Sequence, residues 1–160
     1  MTAPILVFTW GNPSRGDDAL GPLLAERIEA LSMADVECIT DFQLQVEHAL
    51  DLRGRRRVLF ADASIGIDAP FHISRIAPAR DASFTTHAMN PQAVMQAYVD
   101  FEGATPPPCT LIEMRGDSFE LGTGLSVAAQ QALEAALLWV VGWIKDPRQY
   151  SVHHGVEIKG

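Results

Sequence analysis

Three side chains that could bind a metal lie in three separate loops of this chain. Asp18 follows the first apolar run, Asp62 comes at the end of the third, and His87 lies in a Thr-Thr-His segment ahead of a helix start. Two carboxylates and one imidazole suit a divalent transition metal such as nickel, zinc, manganese or iron. Three ligands also leave coordination positions open on the metal. The metal could then bind water and a substrate carbonyl, or the three residues could bind a metal that another molecule already coordinates.

Each of these residues also has an ordinary structural explanation. Asp18 could cap the helix near Pro22, Asp62 could cap a loop, and His87 could be a surface residue. The neighbouring Asp17 could act as a general base or could lie exposed in its loop, and we expect the second. The case for a site therefore depends on whether the fold brings the three side chains together.

The elements that would position these residues alternate between strand and helix. Short β-branched and aromatic runs predict strands at residues 5–9, 36–40, 58–61, 71–76 and 111–114. Helical spacing and caps predict helices after Pro22, over residues 45–52, after Asn90-Pro91 and after Ser126. We therefore predict an α/β fold: a three-layer sandwich with a twisted, mostly parallel sheet of about five strands and helices on both faces. The alternating strand at 71–76 is expected to be antiparallel at the sheet edge.

This fold would bring the candidate ligands together. In a mostly parallel sheet, ligands bind beyond the carboxyl ends of the strands, where loops and helix N-termini meet. Asp18 and Asp62 would both lie at that edge, and the loop that carries His87 could close over it. The sequence therefore predicts a metal site at one edge of the sheet. It is compatible both with a resident metal that catalyses hydrolysis and with a metal that another molecule brings to the site.

Composition narrows the class of protein. The chain has 160 residues, of which 48% are hydrophobic, and this predicts one domain over residues 1–145 followed by a C-terminal tail at 146–160. A net charge of −8 argues against a nucleic-acid partner.

The apolar stretch at 132–144 is too short to span a bilayer, so no membrane partner is expected. The N-terminus lacks the features of a signal peptide, which favours the cytoplasm.

Other chemically active residues are given structural interpretations. Cys38 and Cys109 lie in apolar surroundings and are predicted to be buried thiols rather than nucleophiles. The arginines at 53 and 55–57 are expected to form a solvated turn, with contact to an acidic partner as the alternative. His153-His154 could form a weak metal site but is expected to be solvated. The glycine-containing loop at 11–16 lacks the spacing of a dinucleotide or phosphate site. The nucleophile is not identified.

Three segments resemble the nickel-iron hydrogenase maturation proteases. Residues 11–22, GNPSRGDDALGP, resemble the family signature GN-x-x-x-GDD/E-x-x-G, and residues 59–63, LFADA, look like its second motif. Thr86-His87 followed by Asn90-Pro91 is similar to its histidine segment. The resemblance extends over residues 5–144 and implies that Asp18, Asp62 and His87 contact the metal and carry catalysis.

The resemblance also implies an activity and a substrate. Proteases of this family act on the immature hydrogenase large subunit after nickel has been inserted, and remove a short C-terminal peptide. We therefore expect an endopeptidase that works as a monomer, with nickel supplied by the precursor and with no organic cofactor. The alternatives from other classes are a non-catalytic nickel-binding chaperone and a small-molecule metallohydrolase on the same fold.

Two departures from the family pattern affect this interpretation. Some relatives have glutamate where this chain has Asp18, so the metal would have to approach the loop more closely. Many relatives have a DGG turn after the second strand, whereas this chain has DFQLQ at residues 41–45. That difference suggests a subfamily with its own partner, and Gln43, Gln45 and Glu47 are candidates for contact with it or are simply solvated.

Overall fold

The computed structural model describes residues 2–80, 89–146 and 158–159. The strands are β1 (Ile5–Trp10), β2 (Val36–Asp41), β3 (Arg57–Ile65), β4 (Phe71–Ile76), β5 (Cys109–Gly116) and β6 (Ile158–Lys159). The helices are α1 (Leu20–Ala30), α2 (Pro91–Glu102) and α3 (Val127–Lys145), with two 3-10 helices at Gly16–Ala19 and Val46–Leu52. The predicted tail falls largely outside the described residues, apart from Asp146, which caps α3, and β6.

These strands form one mixed sheet between layers of helices. The order is β2-β1-β3-β5-β4-β6, with β2, β1, β3 and β5 parallel and with β4 antiparallel to β5 and β6. The α/β class, the helices on both sides of the sheet and the direction of β4 are therefore confirmed. The short β6 lies outside β4 at the edge of the sheet.

Two hydrophobic cores, one on each face, hold the sheet in place. The core on one face packs α1 and α3 against the sheet and includes Val7, Leu24 and Ile112. The core on the other face packs α2 and the second 3-10 helix against it and includes Phe8 and Phe60. Because both faces of the central strands are covered, β1 and β3 consist largely of buried apolar residues, as is usual for parallel strands.

The third strand is longer than the sequence predicted. We expected it to span residues 58–61 and to end at Asp62, but β3 continues to Ile65 because β5 pairs with it as far as Gly116. Its pairing with β1 ends earlier, at Thr9 and Ala61. Asp62 therefore lies inside β3, at the first position where β1 no longer covers the strand.

Helix α3 is the longest in the described residues. Ser126 caps it, with its hydroxyl accepting a hydrogen bond from the Ala129 N–H at 3.1 Å. By length and composition α3 could cross a membrane, whereas we judged the apolar stretch within it too short. Its buried side chains, such as Ala132, Ala136 and Val140, pack in the core against the sheet. The core helix of a folded domain meets the same criteria, so the apolar character of α3 is explained by packing.

The predicted solvated arginine turn was wrong for two of its members. Arg55 has a side chain that is 4% exposed and pairs with Glu37 at 3.1 Å. Arg57 donates to the carbonyl oxygens of Trp143 and Ile144 at 2.8 and 2.9 Å, and its guanidinium carbon lies 4.5 Å from the Trp143 ring centroid. These contacts satisfy carbonyls in the last turn of α3 and attach the helix to the start of β3.

Helix α1 packs closely on the end of β1 at Gly21. A Cβ at this position would lie 2.4 Å from the Trp10 carbonyl oxygen. Although alanine is the better helix former by about 1 kcal/mol, we expect Gly21→Ala to lower the free energy of unfolding by about 2 kcal/mol, because the backbone must move. Urea denaturation measures the change. The control is Gly124→Ala, where an added Cβ meets nothing within 4 Å; an equal loss in both variants would contradict the explanation.

Candidate functional site

The candidate site lies where the chain changes direction across the sheet. From β1 the chain crosses to β2 on one side and then returns to form β3 on the other side. The loops that follow β1 and β2 diverge at this position, which is where open α/β sheets usually bind ligands. Asp18 belongs to the loop after β1, and Asp62 extends beyond the β1–β3 pairing, so both carboxylates lie at this switch point.

The loop after β1 folds back on itself and brings Asp18 close to the strand end. The Asn12 N–H donates to Asp18 Oδ2 at 2.8 Å, and the Asp18 N–H donates to the Arg15 carbonyl oxygen at 3.0 Å. Gly11 has φ +146°, and a Cβ there would lie 2.1 Å from the Asp18 carbonyl oxygen, so only glycine fits. Within the described residues Asp18 Oδ1 accepts no hydrogen bond, which leaves that oxygen available to a cation.

Asp62 is half-buried and carries unfavourable charge. The pKa of the Asp62 carboxyl is raised to about 7, mainly by burial. The charges of Asp18 and Glu113 contribute to this rise, and hydrogen bonds from the Ala63 N–H and the Trp10 side chain oppose it. The Ala63 N–H lies 2.8 Å from Oδ1. The carboxyl is therefore partly protonated near neutral pH when no cation is present. A bound cation would compete with that proton and offset the repulsion from the neighbouring carboxylates.

The third predicted ligand, His87, lies outside the described residues, so its place beside the carboxylates stays a prediction. Across residues 2–80 and 89–146 no group of three His, Cys, Asp or Glu side chains is arranged to hold a metal. The described structure does bring Asp18 and Asp62 together. They lie close enough for the charge of Asp18 to raise the pKa of Asp62. A cation held by this pair alone would keep most of its coordination positions open.

Asp17 was expected to be an exposed loop acid, and this was wrong. The residue is 1% exposed, and its carboxylate accepts four hydrogen bonds from the segment that joins β5 to α3. Burial alone would raise the pKa of Asp17, but the donors on Asp117, Ser126 and Ser118 outweigh it and the pKa is lowered. With both oxygens occupied, Asp17 cannot serve as a general base.

Two residues beside Asp62 were missed from the sequence. Trp10, the last residue of β1, donates its indole N–H to the Asp62 carboxylate, since that is the only donor on its side chain. Glu113 is directly opposite Asp62 in the β3–β5 register, and its charge raises the pKa of Asp62. Strand register could have identified both, but only after the order of the strands was known.

The segment after β2 has a structural role that explains part of its unusual sequence. Gln45 caps the 3-10 helix Val46–Leu52, where its N–H donates to His48 Nδ1 at 2.8 Å, and His48 Nε2 lies 3.1 Å from Asp41 Oδ2. Gln45 is thus a helix cap, while Gln43 is half-buried and Glu47 is exposed. Contact of these residues with a partner stays a prediction.

Two cavities flank the loop after β1. One of about 620 Å³ is lined by Pro13, Pro22, Leu23 and other residues, and one of about 210 Å³ is lined by Gly11, Thr40, Phe42 and their neighbours. A cavity of about 660 Å³ lies at the opposite end of the sheet, between Arg75, Met95 and the prolines at 106–108. Neither Asp18 nor Asp62 lines any of these three cavities, so none of the three is assigned to the chemistry of the two carboxylates.

Comparison with solved structures identifies similar proteins. The hydrogenase maturating endopeptidase HybD from E. coli is 26% identical, with a TM-score of 0.67 over 88% of this chain and 91% of that one. The NiFe hydrogenase maturation protease HycI from Thermococcus kodakarensis is 24% identical, with a TM-score of 0.68 over 90% and 94%. An endopeptidase from Escherichia coli is 23% identical, with a TM-score of 0.70 over 97% and 96%.

These similarities confirm the resemblance to hydrogenase maturation proteases and the fold that it implied. The match extends over most of this chain and most of each known structure, so the resemblance is not limited to a shared motif. No protein-family model matches the chain, and no curated protein matches it.

The two thiols should be inert in the folded protein. The prediction of two buried thiols is confirmed for Cys109, which is fully buried, and is wrong for Cys38, which is partly exposed. Burial nevertheless raises the pKa of both thiols to about 12. Because only the thiolate reacts, about one thiol in 10⁴ is reactive at pH 8, against roughly a quarter in an unfolded chain. Mass spectrometry after treatment with iodoacetamide at pH 8 should show little alkylation of native protein and complete alkylation in urea. Rapid native alkylation of either cysteine would reopen the possibility of a thiol nucleophile.

Proposed function

We propose that this chain is a hydrogenase maturation endopeptidase, which removes a C-terminal peptide from the nickel-loaded precursor of a nickel-iron hydrogenase large subunit. The main observation in its favour is the Asp18–Asp62 pair at the switch point of a fold shared with proteases of that name. We assign the protein to the cytoplasm and expect it to act as a monomer.

Recognition of nickel is assigned to Asp18, Asp62 and His87. Asp18 offers Oδ1, and the repulsion at Asp62 would be relieved by a divalent cation. His87 would come from the loop ahead of α2, whose start is fixed by Asn90, where the side chain accepts a hydrogen bond from the Ala93 N–H at 2.8 Å. A carboxylate pair completed by one imidazole suits nickel.

The nickel is expected to come with the substrate. Thiolates are softer ligands than carboxylates and suit nickel better, so a precursor that holds nickel through cysteines would keep it while the protease adds its own ligands. An open set of oxygen and nitrogen ligands retains a metal weakly by itself. The three residues would then report whether the precursor is loaded before its peptide bond is cut.

Hydrolysis requires water to add to the scissile carbonyl carbon, the C–N bond to break and a proton to reach the leaving amine. Asp17 is removed from the candidates for the base because both of its oxygens accept hydrogen bonds. Cys38 and Cys109 are removed because the pKa of each thiol is raised to about 12, so neither ionises near neutral pH. The proton transfers are therefore assigned to Asp18, Asp62 and His87, whose side chains would be within reach of a carbonyl polarised by the metal.

Asp62→Asn should abolish cleavage of the precursor while the fold is retained. The amide keeps the volume of the side chain and removes the anionic ligand. Because the pKa of Asp62 is raised in the folded protein, its charge is unfavourable there, and the variant should be at least as stable near neutral pH. Gel assays of precursor cleavage and thermal unfolding measure the two effects. Asp68→Asn, which changes an exposed carboxylate on the loop after β3, is the matched control. Wild-type processing by Asp62→Asn would refute the assignment.

Nickel-free precursor should not be cleaved, and addition of nickel to that precursor should restore cleavage. The physical reason is that the protease alone holds metal weakly, so the recognised ion must come from the substrate. Metal analysis of the purified protease should accordingly find substoichiometric metal. Efficient cleavage of a nickel-free precursor in the presence of a chelator would eliminate the sensing role, even if Asp18, Asp62 and His87 remained essential.

A further inference from the structure

We propose that Asp17 is a positioning residue, which sets the place of Asp18 in the candidate metal site by attaching its loop to the N-terminus of α3. The inference rests on the proposed function, since it assumes that Asp18 contacts the metal. The carboxylate of Asp17 is not available to a ligand, because the residue is 1% exposed and both oxygens accept hydrogen bonds from the protein.

The attachment consists of short hydrogen bonds to residues about a hundred positions away. Asp17 Oδ1 accepts from the Ser126 N–H at 2.8 Å. Oδ2 accepts from the Asp117 N–H at 2.7 Å, the Ser118 N–H at 3.3 Å and the Ser126 hydroxyl at 2.7 Å. The Asp17 N–H in turn donates to the Ser118 carbonyl oxygen at 2.9 Å. A carboxylate with this many donors is strongly held, and the dipole of α3 adds to its stabilisation.

Close packing of the two loops supports the attachment. Gly16 has φ +53°, and a Cβ there would lie 2.6 Å from the Ser118 carbonyl oxygen. A Cβ at Gly116 would lie 3.0 Å from the Cβ of Asp17. The Gly122 N–H also donates to the Ser14 carbonyl oxygen at 2.9 Å. The loop after β1 therefore packs closely against the loop after β5, and the Asp17 carboxylate connects the two loops through its hydrogen bonds.

The position of Asp17 is transmitted to Asp18 through one peptide bond inside the 3-10 helix Gly16–Ala19. On its other side Asp18 is held by the Asn12 N–H and by close approach to Gly11. Asp18 is thus fixed from two directions, and only one of them involves its own carboxylate. Loss of the link through Asp17 would let the turn shift while the site residues remained chemically intact. Loss of such outer contacts typically weakens metal binding by about 10- to 100-fold.

Asp17→Asn tests the proposal, because an amide places an NH₂ group against N–H and O–H donors whichever way it is turned. The measurement is Ni²⁺ affinity by titration calorimetry on the whole chain, well below the unfolding temperature. We expect binding roughly 10- to 100-fold weaker than in the wild type. The matched control is Asp117→Asn, which removes a neighbouring charge whose side chain pairs with Arg115 at 3.5 Å and leaves the backbone donor to Asp17 in place; its affinity should be unchanged.

Two further variants separate the possible outcomes. If Asp18→Asn leaves Ni²⁺ binding unchanged, the metal recognition in the proposed function fails and this inference fails with it. If Asp18→Asn weakens binding and folded Asp17→Asn matches Asp117→Asn, the positioning role is overturned while the proposed function stands.

A variant at Ser126 keeps the test decisive if Asp17→Asn does not fold. Ser126→Ala removes one of the four bonds to the Asp17 carboxylate, and Ser126→Thr keeps the hydroxyl. Both leave the backbone donor in place. We expect weaker Ni²⁺ binding in Ser126→Ala and near wild-type binding in Ser126→Thr. Equal affinities in the two variants would overturn the proposal.

Discussion

The parallel pairing of β1 with β2 on one side and β3 on the other is the constraint on which the rest of the structure depends. It requires the chain to leave β1 in one direction and to return on the opposite side, and this opens a crevice at the carboxyl ends of the strands. Because pairing with β1 stops at Ala61 while β5 supports β3 to its end, Asp62 is left uncovered. The switch in strand order thus leaves Asp62 without a partner on β1 and brings the loop with Asp18 close to its half-buried carboxyl.

The two adjacent aspartates of the first loop have opposite environments, and each environment suits a different task. Asp17 faces a set of amide and hydroxyl donors and is ionised at low energetic cost. Asp18 is half-buried, with one oxygen bound to the Asn12 amide and the other unengaged within the described residues. The double acid of the motif therefore combines one structural anion with one available anion.

Much of the fold and part of the site could be predicted from local sequence signals. The caps at Asn90 and Ser126 act within a few residues and were assigned correctly, as was the direction of β4 from its alternation of apolar and polar residues. The end of β3 was misplaced because its length is set by the partner strand β5 rather than by its own residues. The same limitation explains the wrong interpretations of Asp17 and Arg57, whose partners come from distant segments. Trp10 and Glu113 could be identified as neighbours of Asp62 only once the register of the sheet was known.

The hydrogen bond between Trp10 and Asp62 gives the site a natural optical label. The chain has three tryptophans, and Trp139 and Trp143 stack on each other along α3 with ring centroids 6.5 Å apart. Trp10, by contrast, donates its indole N–H to Asp62, a candidate ligand. Emission from an indole depends on the charge and hydrogen bonding at its N–H, so a cation bound at Asp62 would change the fluorescence of Trp10. Tryptophan fluorescence of the unlabelled protein should therefore follow loading of the site.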